Sequence, residues 1–459
     1  MLEKRNINFT TLILIYSFVI TALFNHTVFI KLNELFTVDF KYSSFEVFFL
    51  LLVFLTLFLL LVIFLLLTGT RYLLKPLIGF LLITSSIIFY YKQNYGISVD
   101  EGIILSGIDS IKEGNFVEIT DLLSFKLLLF LIPMGFLPLI PLLFLRVIYP
   151  SVGKELLFRI LGIVLILSSL LGLIYANYKN VSLTARVVKD LNRQTIPHYF
   201  ISSNIEVIKD SLKTKQTFVA LKDMPTTNTE EEMLGIIIIG ETARADHFSL
   251  NGYSRETNPL LKNQDIINYT DATSCGTLTK TSVPCMFYLG NYNGFSVKKA
   301  RYQSNALDIA SKAGVDVLWV ENNSSCKNVC ERIKTDIVIT KKNDTYDELL
   351  IDRMLNFIKE SKKKKKLIIL HTMGSHGPKY YKRYPKKFGK FTPSCQSNSP
   401  QDCSQQELIN AYDNSILYTD YVVNSIIEIL KKKNTSSFMI YASDHGESLG
   451  ENGLYLHGV

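Results

Sequence analysis

A chain of 459 residues, 48% hydrophobic and 20% charged, with a formal net charge of +8, is long enough for two or three domains. Long apolar runs fill the first 178 positions and then cease, which excludes a wholly soluble protein. The excess of lysine and arginine suits anionic lipid headgroups; an exported, membrane-anchored domain meets no nucleic acid.

Five segments are apolar over the length needed to cross a bilayer: Phe9–Ile30, Phe45–Leu67, Leu74–Tyr91, Leu127–Leu145 and Leu156–Tyr175. The first is no cleavable signal peptide, being too long and lacking a small-residue cleavage site. With the N-terminus inside, Lys4, Arg5, Arg71, Lys75, Arg146, Lys154 and Arg159 all fall on the cytoplasmic side. Fewer basic residues, among them Lys31, Lys41 and Lys112, fall outside. An odd number of spans puts everything after Tyr178 beyond the membrane. The expected organisation is a transmembrane domain over 1–178 with an outer loop at about 92–126, linker helices over 179–233, and a catalytic domain over 234–459. The outer loop mixes acidic and apolar residues and suits short helices at the membrane boundary.

The later part opens on Gly235-Ile-Ile-Ile-Ile-Gly240-Glu241. Four consecutive isoleucines cannot alternate, so they read as a strand buried on both faces in a parallel sheet. Glu241 follows the strand's carboxyl end, where ligands collect in open α/β sheets. Further strands are expected at Val315–Val320, Ile337–Ile339, Leu367–Leu370 and a buried Phe438–Ala442. Helical stretches such as Tyr346–Glu360 and Gln405–Leu430 separate them, so the domain is α/β with a largely parallel sheet. Lys362–Lys366 reads as the solvated end of a helix.

Asp444 and His445 follow Phe438–Ala442, His371 and His376 follow Leu367–Leu370, and His457 lies just beyond. With His247, five of the seven histidines sit near strand ends. Carboxylate and imidazole groups gathered this way suit a Zn²⁺ centre. All six cysteines lie in the later part, as the local pairs Cys275/Cys285, Cys326/Cys330 and Cys395/Cys403. In an exported domain these read as disulfides. Between the first pair, Thr277, Thr279, Thr281 and Ser282 are all candidate nucleophiles, and their spacing leaves the choice open. A threonine there would need a metal to supply its alkoxide.

Gly-Glu241-Thr-Ala-Arg, Ser-Cys-Gly-Thr-Leu-Thr279-Lys-Thr-Ser-Val-Pro-Cys, His371-Thr-Met-Gly-Ser-His376-Gly-Pro and Ser-Asp444-His445-Gly-Glu-Ser-Leu-Gly-Glu-Asn-Gly, with His457, closely resemble the phosphoethanolamine transferases of Gram-negative bacteria. That family includes lipid A-modifying enzymes that confer polymyxin resistance. The resemblance implies a five-helix membrane domain in the inner membrane and a periplasmic α/β domain of the alkaline phosphatase/sulfatase type. It implies zinc bound by Glu241, Thr279, Asp444 and His445, with Thr279 as the nucleophile that carries phosphoethanolamine. His376 and His457 would contact the phosphate or a second zinc, and Asn323 and Lys327 match positions near the phosphoethanolamine group. The implied donor is phosphatidylethanolamine and the implied acceptor lipid A or another envelope component. Two departures stand out. Ile103-Ile-Leu-Ser106 takes the place of a family Met-Ile-Gln-Asn run, although Glu118 matches a family acidic residue. The chain also stops at His457-Gly-Val459 where family members continue, which implies a truncated catalytic domain. The competing readings are a glycerol-phosphate transferase acting on phosphatidylglycerol and an inactive metal-binding member of the family.

Overall fold

Leucine- and phenylalanine-rich runs without a polar face form helices that only other helices or lipid can cover. The computed structural model describes residues 5–39, 44–112, 122–178, 181, 189–212, 217–221, 226, 231–323, 325–338 and 346–458. The chain divides into two compact units, Met1–Ile104 with Ser124–Leu212, and Leu105–Leu123 with Lys213–Val459.

In the first unit four helices are long and apolar enough to cross a membrane: Phe48–Thr68, Leu74–Tyr95, Phe125–Phe144 and Val152–Ala176. The fifth expected span is a bent pair, Phe9–Phe24 and His26–Leu32, meeting at 53°. Asn25 sits at the bend, and its side-chain amide bonds Thr21 O at 3.2 Å and both Ile196 O and Ile196 N, at 2.6 and 2.8 Å. Counting the bent pair as one span gives five candidate membrane segments among the described residues. The turn Ile132–Phe136 is π-helical, with Pro133 in it and Pro138 and Pro141 just beyond, since proline removes ladder donors. Leu12, Ile20, Leu61, Leu65, Ile78 and Leu81 form the buried core. Arg159 donates to Gly69 O at 2.6 Å and to Glu155 at 2.9 Å, and Arg71 reaches the same carboxylate at 2.9 Å. A short parallel pair, β1 (Arg5–Asn8) with β2 (Leu145–Ile148), was not anticipated from the sequence. The outer loop does contain a helix, Glu101–Lys112, and the connector contains another, His198–Leu212. Glu118 lies outside the described residues.

The second unit is built on five parallel strands: β3 (Met233–Gly240), β4 (Asp316–Glu321), β5 (Lys334–Ile337), β6 (Lys365–His371) and β7 (Ser436–Ser443), in the order β5-β4-β6-β3-β7. The isoleucines of β3 divide between two cores. Ile236 and Ile238 pack with Leu350, Met354, Tyr418 and Ile426 from the helices Glu348–Glu360 and Gln405–Lys431. Ile239 packs on the opposite face with Val283, Phe287, Leu307 and Trp319. Burial on both faces is why the run does not alternate, and each such side chain contributes about 1.5–3 kcal/mol of transfer free energy.

Three expectations need correction. The strand expected at Ile337–Ile339 lies earlier, at Lys334–Ile337, because those residues align with Leu318–Glu321 of β4. The last strand, expected to be buried, occupies an edge of the described sheet, with Phe438 42% and Ile440 52% exposed. The lysine run does not end a helix: the helix closes at Glu360, and Lys365 and Lys366 already belong to β6.

Candidate active site

Three strands deliver the site residues at their carboxyl ends. Glu241 follows β3 and is fully buried, Asp444 and His445 follow β7, and His376 lies on the loop after β6. An antiparallel hairpin of β8 (Ser448–Leu449) and β9 (Tyr455–Leu456) brings back His457. The strand-to-loop turns are tightly made. Asp444 N donates to Gly240 O at 2.8 Å, and Asp444 Oδ1 accepts from Thr242 N at 3.2 Å and His445 N at 2.7 Å. Thr242 takes φ +54°, an uncommon region for a β-branched residue, and Tyr412 secures it by donating to Thr242 O at 2.5 Å. Gly374, with φ +49°, packs directly on Glu241; a Cβ there would stand 2.7 Å from Glu241 O.

Thr279 opens the helix Thr279–Met286, which the Cys275–Cys285 disulfide ties to the preceding loop. Its Oγ1 lies 3.2 Å from Glu241 Oε2, 3.4 Å from Glu241 Oε1 and 3.2 Å from His445 Nε2. Ser282, by contrast, donates to Gly276 O at 3.1 Å. His445 Nε2 lies 3.3 Å from Glu241 Oε1 and 3.2 Å from Asp444 Oδ2. Four of the six separations among Glu241, Thr279, Asp444 and His445, at 3.2–3.4 Å, lie near the edge of about 3.3 Å expected for a tetrahedron with ligands about 2.0 Å from Zn²⁺. Asp444 Oδ2 is buried without a hydrogen-bond partner, as an atom aimed at a cation would be. Glu241, His445 and His457 also offer ligand atoms within 4.8 Å of one another. The donor set fits zinc.

The electrostatics agree. Burial works against the Glu241 carboxylate, but the imidazoles of His445, His376, His457 and His371 outweigh it and hold it down, to about 2. Asp444 is pushed up to about 6, by burial first and then by Glu241 beside it. Two buried carboxylates sharing one imidazole favour one retained proton, and a divalent cation reverses that preference. Burial lowers His457, yet the Glu447 carboxylate, with Nδ1 3.3 Å from Oε2, raises it to about 9. The His457 ring lies 4.5 Å from that of His445 and 5.1 Å from that of His376.

Other candidates lie elsewhere or act indirectly. Asn323 Nδ2 donates to Glu241 Oε2 at 2.7 Å and to Thr372 O at 2.9 Å. Lys327 lines a cleft of about 260 Å³ with Pro284, Tyr288 and Arg301, along the later part of the Thr279–Met286 helix. His371 is buried between Glu321 Oε2, 3.2 Å from Nδ1, and Asn323 Nδ2, 3.1 Å from Nε2. Trp319 Nε1 donates to the same Glu321 oxygen at 2.8 Å, so a polar chain runs from Trp319 to Glu241. Sequence reasoning missed Glu321, although it ends β4 as Glu241 follows β3. His247 is committed to Asp413, 2.6 Å away, and stands outside the cluster of Glu241, Thr279 and His445. All three expected disulfides are formed, Cys275–Cys285, Cys326–Cys330 and Cys395–Cys403.

Two family models match the chain. One described as phosphoethanolamine transferase EptA/EptB covers residues 57–212, and one described as sulfatase covers 234–459. Phosphatidylethanolamine transferase Mcr-1 of Escherichia coli is 38% identical over 420 residues, 86% of this chain and 76% of that protein. Phosphoethanolamine transferase EptA of Escherichia coli strain K12 is 35% identical over 412 residues, 86% and 74% of the two chains. Among solved structures, the integral membrane protein lipooligosaccharide phosphoethanolamine transferase A of Neisseria meningitidis matches with a TM-score of 0.87 at 30% identity, over 99% of this chain and 85% of that one.

Proposed function

Because the chain belongs to the phosphoethanolamine transferase family, we propose that it moves phosphoethanolamine from phosphatidylethanolamine, through Thr279, to lipid A in the cell envelope. It is a multi-pass protein of the bacterial inner membrane with its catalytic domain in the periplasm, an oxidising compartment that suits its three disulfides. The observation that carries the assignment of Thr279 is its hydroxyl, set 3.2 Å from both a Glu241 oxygen and His445 Nε2.

Zn²⁺ held by Glu241, Thr279, Asp444 and His445 would supply Lewis acidity and favour the alkoxide of Thr279. The chain's own residues do the rest. Thr279 Oγ1 forms a bond to the donor phosphorus while the phosphorus–oxygen bond to diacylglycerol breaks. The proton lost by the hydroxyl is balanced by the one the departing diacylglycerol takes up. An acceptor oxygen then forms a bond to phosphorus, the bond to Thr279 breaks, and the threonine regains a proton. His457, held through Nδ1 by Glu447 at 3.3 Å, would donate to a phosphoryl oxygen, with His376 beside it.

The test uses membranes containing the chain or its Thr279→Ala form, given phosphatidylethanolamine with a fluorescent acyl chain, with and without a zinc chelator. Diacylglycerol release should need both Thr279 and metal. Release from phosphatidylglycerol instead would overturn the donor, and undiminished release by Thr279→Ala would overturn the nucleophile.

A further inference from the structure

Lys92 occupies the last turn of the span Leu74–Tyr95, which runs outward when the N-terminus lies inside. Its side chain is almost wholly buried, and Nζ donates to Gln194 O at 2.5 Å. An ammonium has three donors, so one carbonyl leaves it under-satisfied, and among the described residues no carboxylate pairs with it. It lines a cleft of about 200 Å³, open to solvent, together with Ser98, Arg193, Thr195 and Tyr199. Among the described residues no carboxylate lines that cleft; Asp100 and Glu206 act on Tyr199, but Asp100 Oδ1 is committed to Ile103 N at 2.9 Å. The remaining wall is apolar, formed by Ile88, Val99, Ile196 and Phe200. Tyr90, Tyr91 and Tyr95 cluster beside it, with ring centroids 5.5 Å apart in sequence order, as aromatic residues do at the membrane–water boundary.

A purely structural role for Lys92 explains this poorly, because Asn25 already holds the same segment through Ile196 N and O. We propose that this cleft of the membrane unit binds the phosphate of a phospholipid headgroup. Lys92 and Arg193 supply the charge, Ser98 and Tyr199 the hydroxyl donors, and the apolar wall takes the first carbons of the acyl chains. Every residue named belongs to the membrane unit, so the site is separate from the one built around Thr279 and would serve to hold a resident lipid against the protein.

The full chain in detergent, incubated with dioleoylphosphatidylglycerol and examined by native mass spectrometry, tests this. Phosphatidylglycerol should be retained, and dioleoylglycerol, which lacks the phosphate, should not. Lys92→Gln and Arg193→Gln should each lower retention about tenfold, the cost of one charge-assisted hydrogen bond. Arg193 is exposed, so its variant keeps the fold even if Lys92→Gln does not. Thr279→Ala should retain lipid fully, which separates this site from the catalytic proposal. Excess inorganic phosphate that displaces the lipid would show recognition of phosphate alone; lipid that resists it would show that the acyl chains contribute. Equal retention by both variants and the parent, or equal retention of dioleoylglycerol, would overturn the proposal.

Discussion

Asn323 supports the proposed metal centre through Glu241, whose Oε2 it bonds at 2.7 Å. Removing such a support typically weakens metal binding about 10–100-fold. Asn323→Ala should therefore release zinc to a competing chelator much more readily, with the turnover lost restored by excess metal. A direct contact with the donor would instead raise KM and leave metal affinity alone. Asp420 makes a different prediction. It accepts Leu260 N and Leu261 N at 2.9 and 3.0 Å, and burial lifts it to about 6 despite those bonds. A carboxyl whose pKa is raised by folding binds its proton more tightly in the folded state, so its contribution to stability grows as pH falls through 6 and levels off below about 4. Between pH 7 and pH 5 that gain is about 1 kcal/mol. Thermal unfolding of Asp420→Asn should show a pH dependence flattened by that amount.

Among the elements, the 27-residue helix Gln405–Lys431 begins with a capping box, in which Ser404 Oγ accepts from Glu407 N and Glu407 returns a bond to Ser404 N. Ser404→Ala should cost about 1 kcal/mol, read as a lowered Tm with activity preserved. The short helix that carries Thr279 depends on a covalent tie instead. Cys275→Ser should lower kcat with the Tm little changed, because the helix start is freed while the cores around β3 keep their contacts. How much of this could be read from the chain follows the range of each interaction. The isoleucine run and the acids after β3 and β7 were readable, because burial pattern and strand ends are local properties. The edge position of β7 was not, since Phe438-Met-Ile-Tyr-Ala is equally apolar in the centre of a sheet or at its margin. Nor could His247 be told from His445: what separates them is Asp413, 166 residues away from His247 in sequence. The bend at Asn25 was hidden for the same reason, its partner Ile196 being 171 residues distant.

For the molecule as a whole, a ligand that binds only the folded form stabilises it by mass action. If zinc joins Glu241, Thr279, Asp444 and His445, chelation should lower the Tm of the parent chain but leave that of Asp444→Asn almost unmoved. A parent chain indifferent to chelation would show that these residues hold no metal. The sheet order places β3 between β6 and β7, with Gly240 facing Ser443 across a sequence separation of 203. Such pairings form slowly, because a long loop must close before any contact rewards it. The segment after the last span crosses from its N-terminal end, so Glu241 and Thr279 reach the periplasm well before Asp444 and His445. The proposed four-ligand centre therefore cannot be completed during early translocation, and the proposed capacity to bind metal and attack a lipid phosphate would mature only as β7 docks. Assembly order would thus keep the Thr279 hydroxyl idle until the strand that completes its proposed site has crossed.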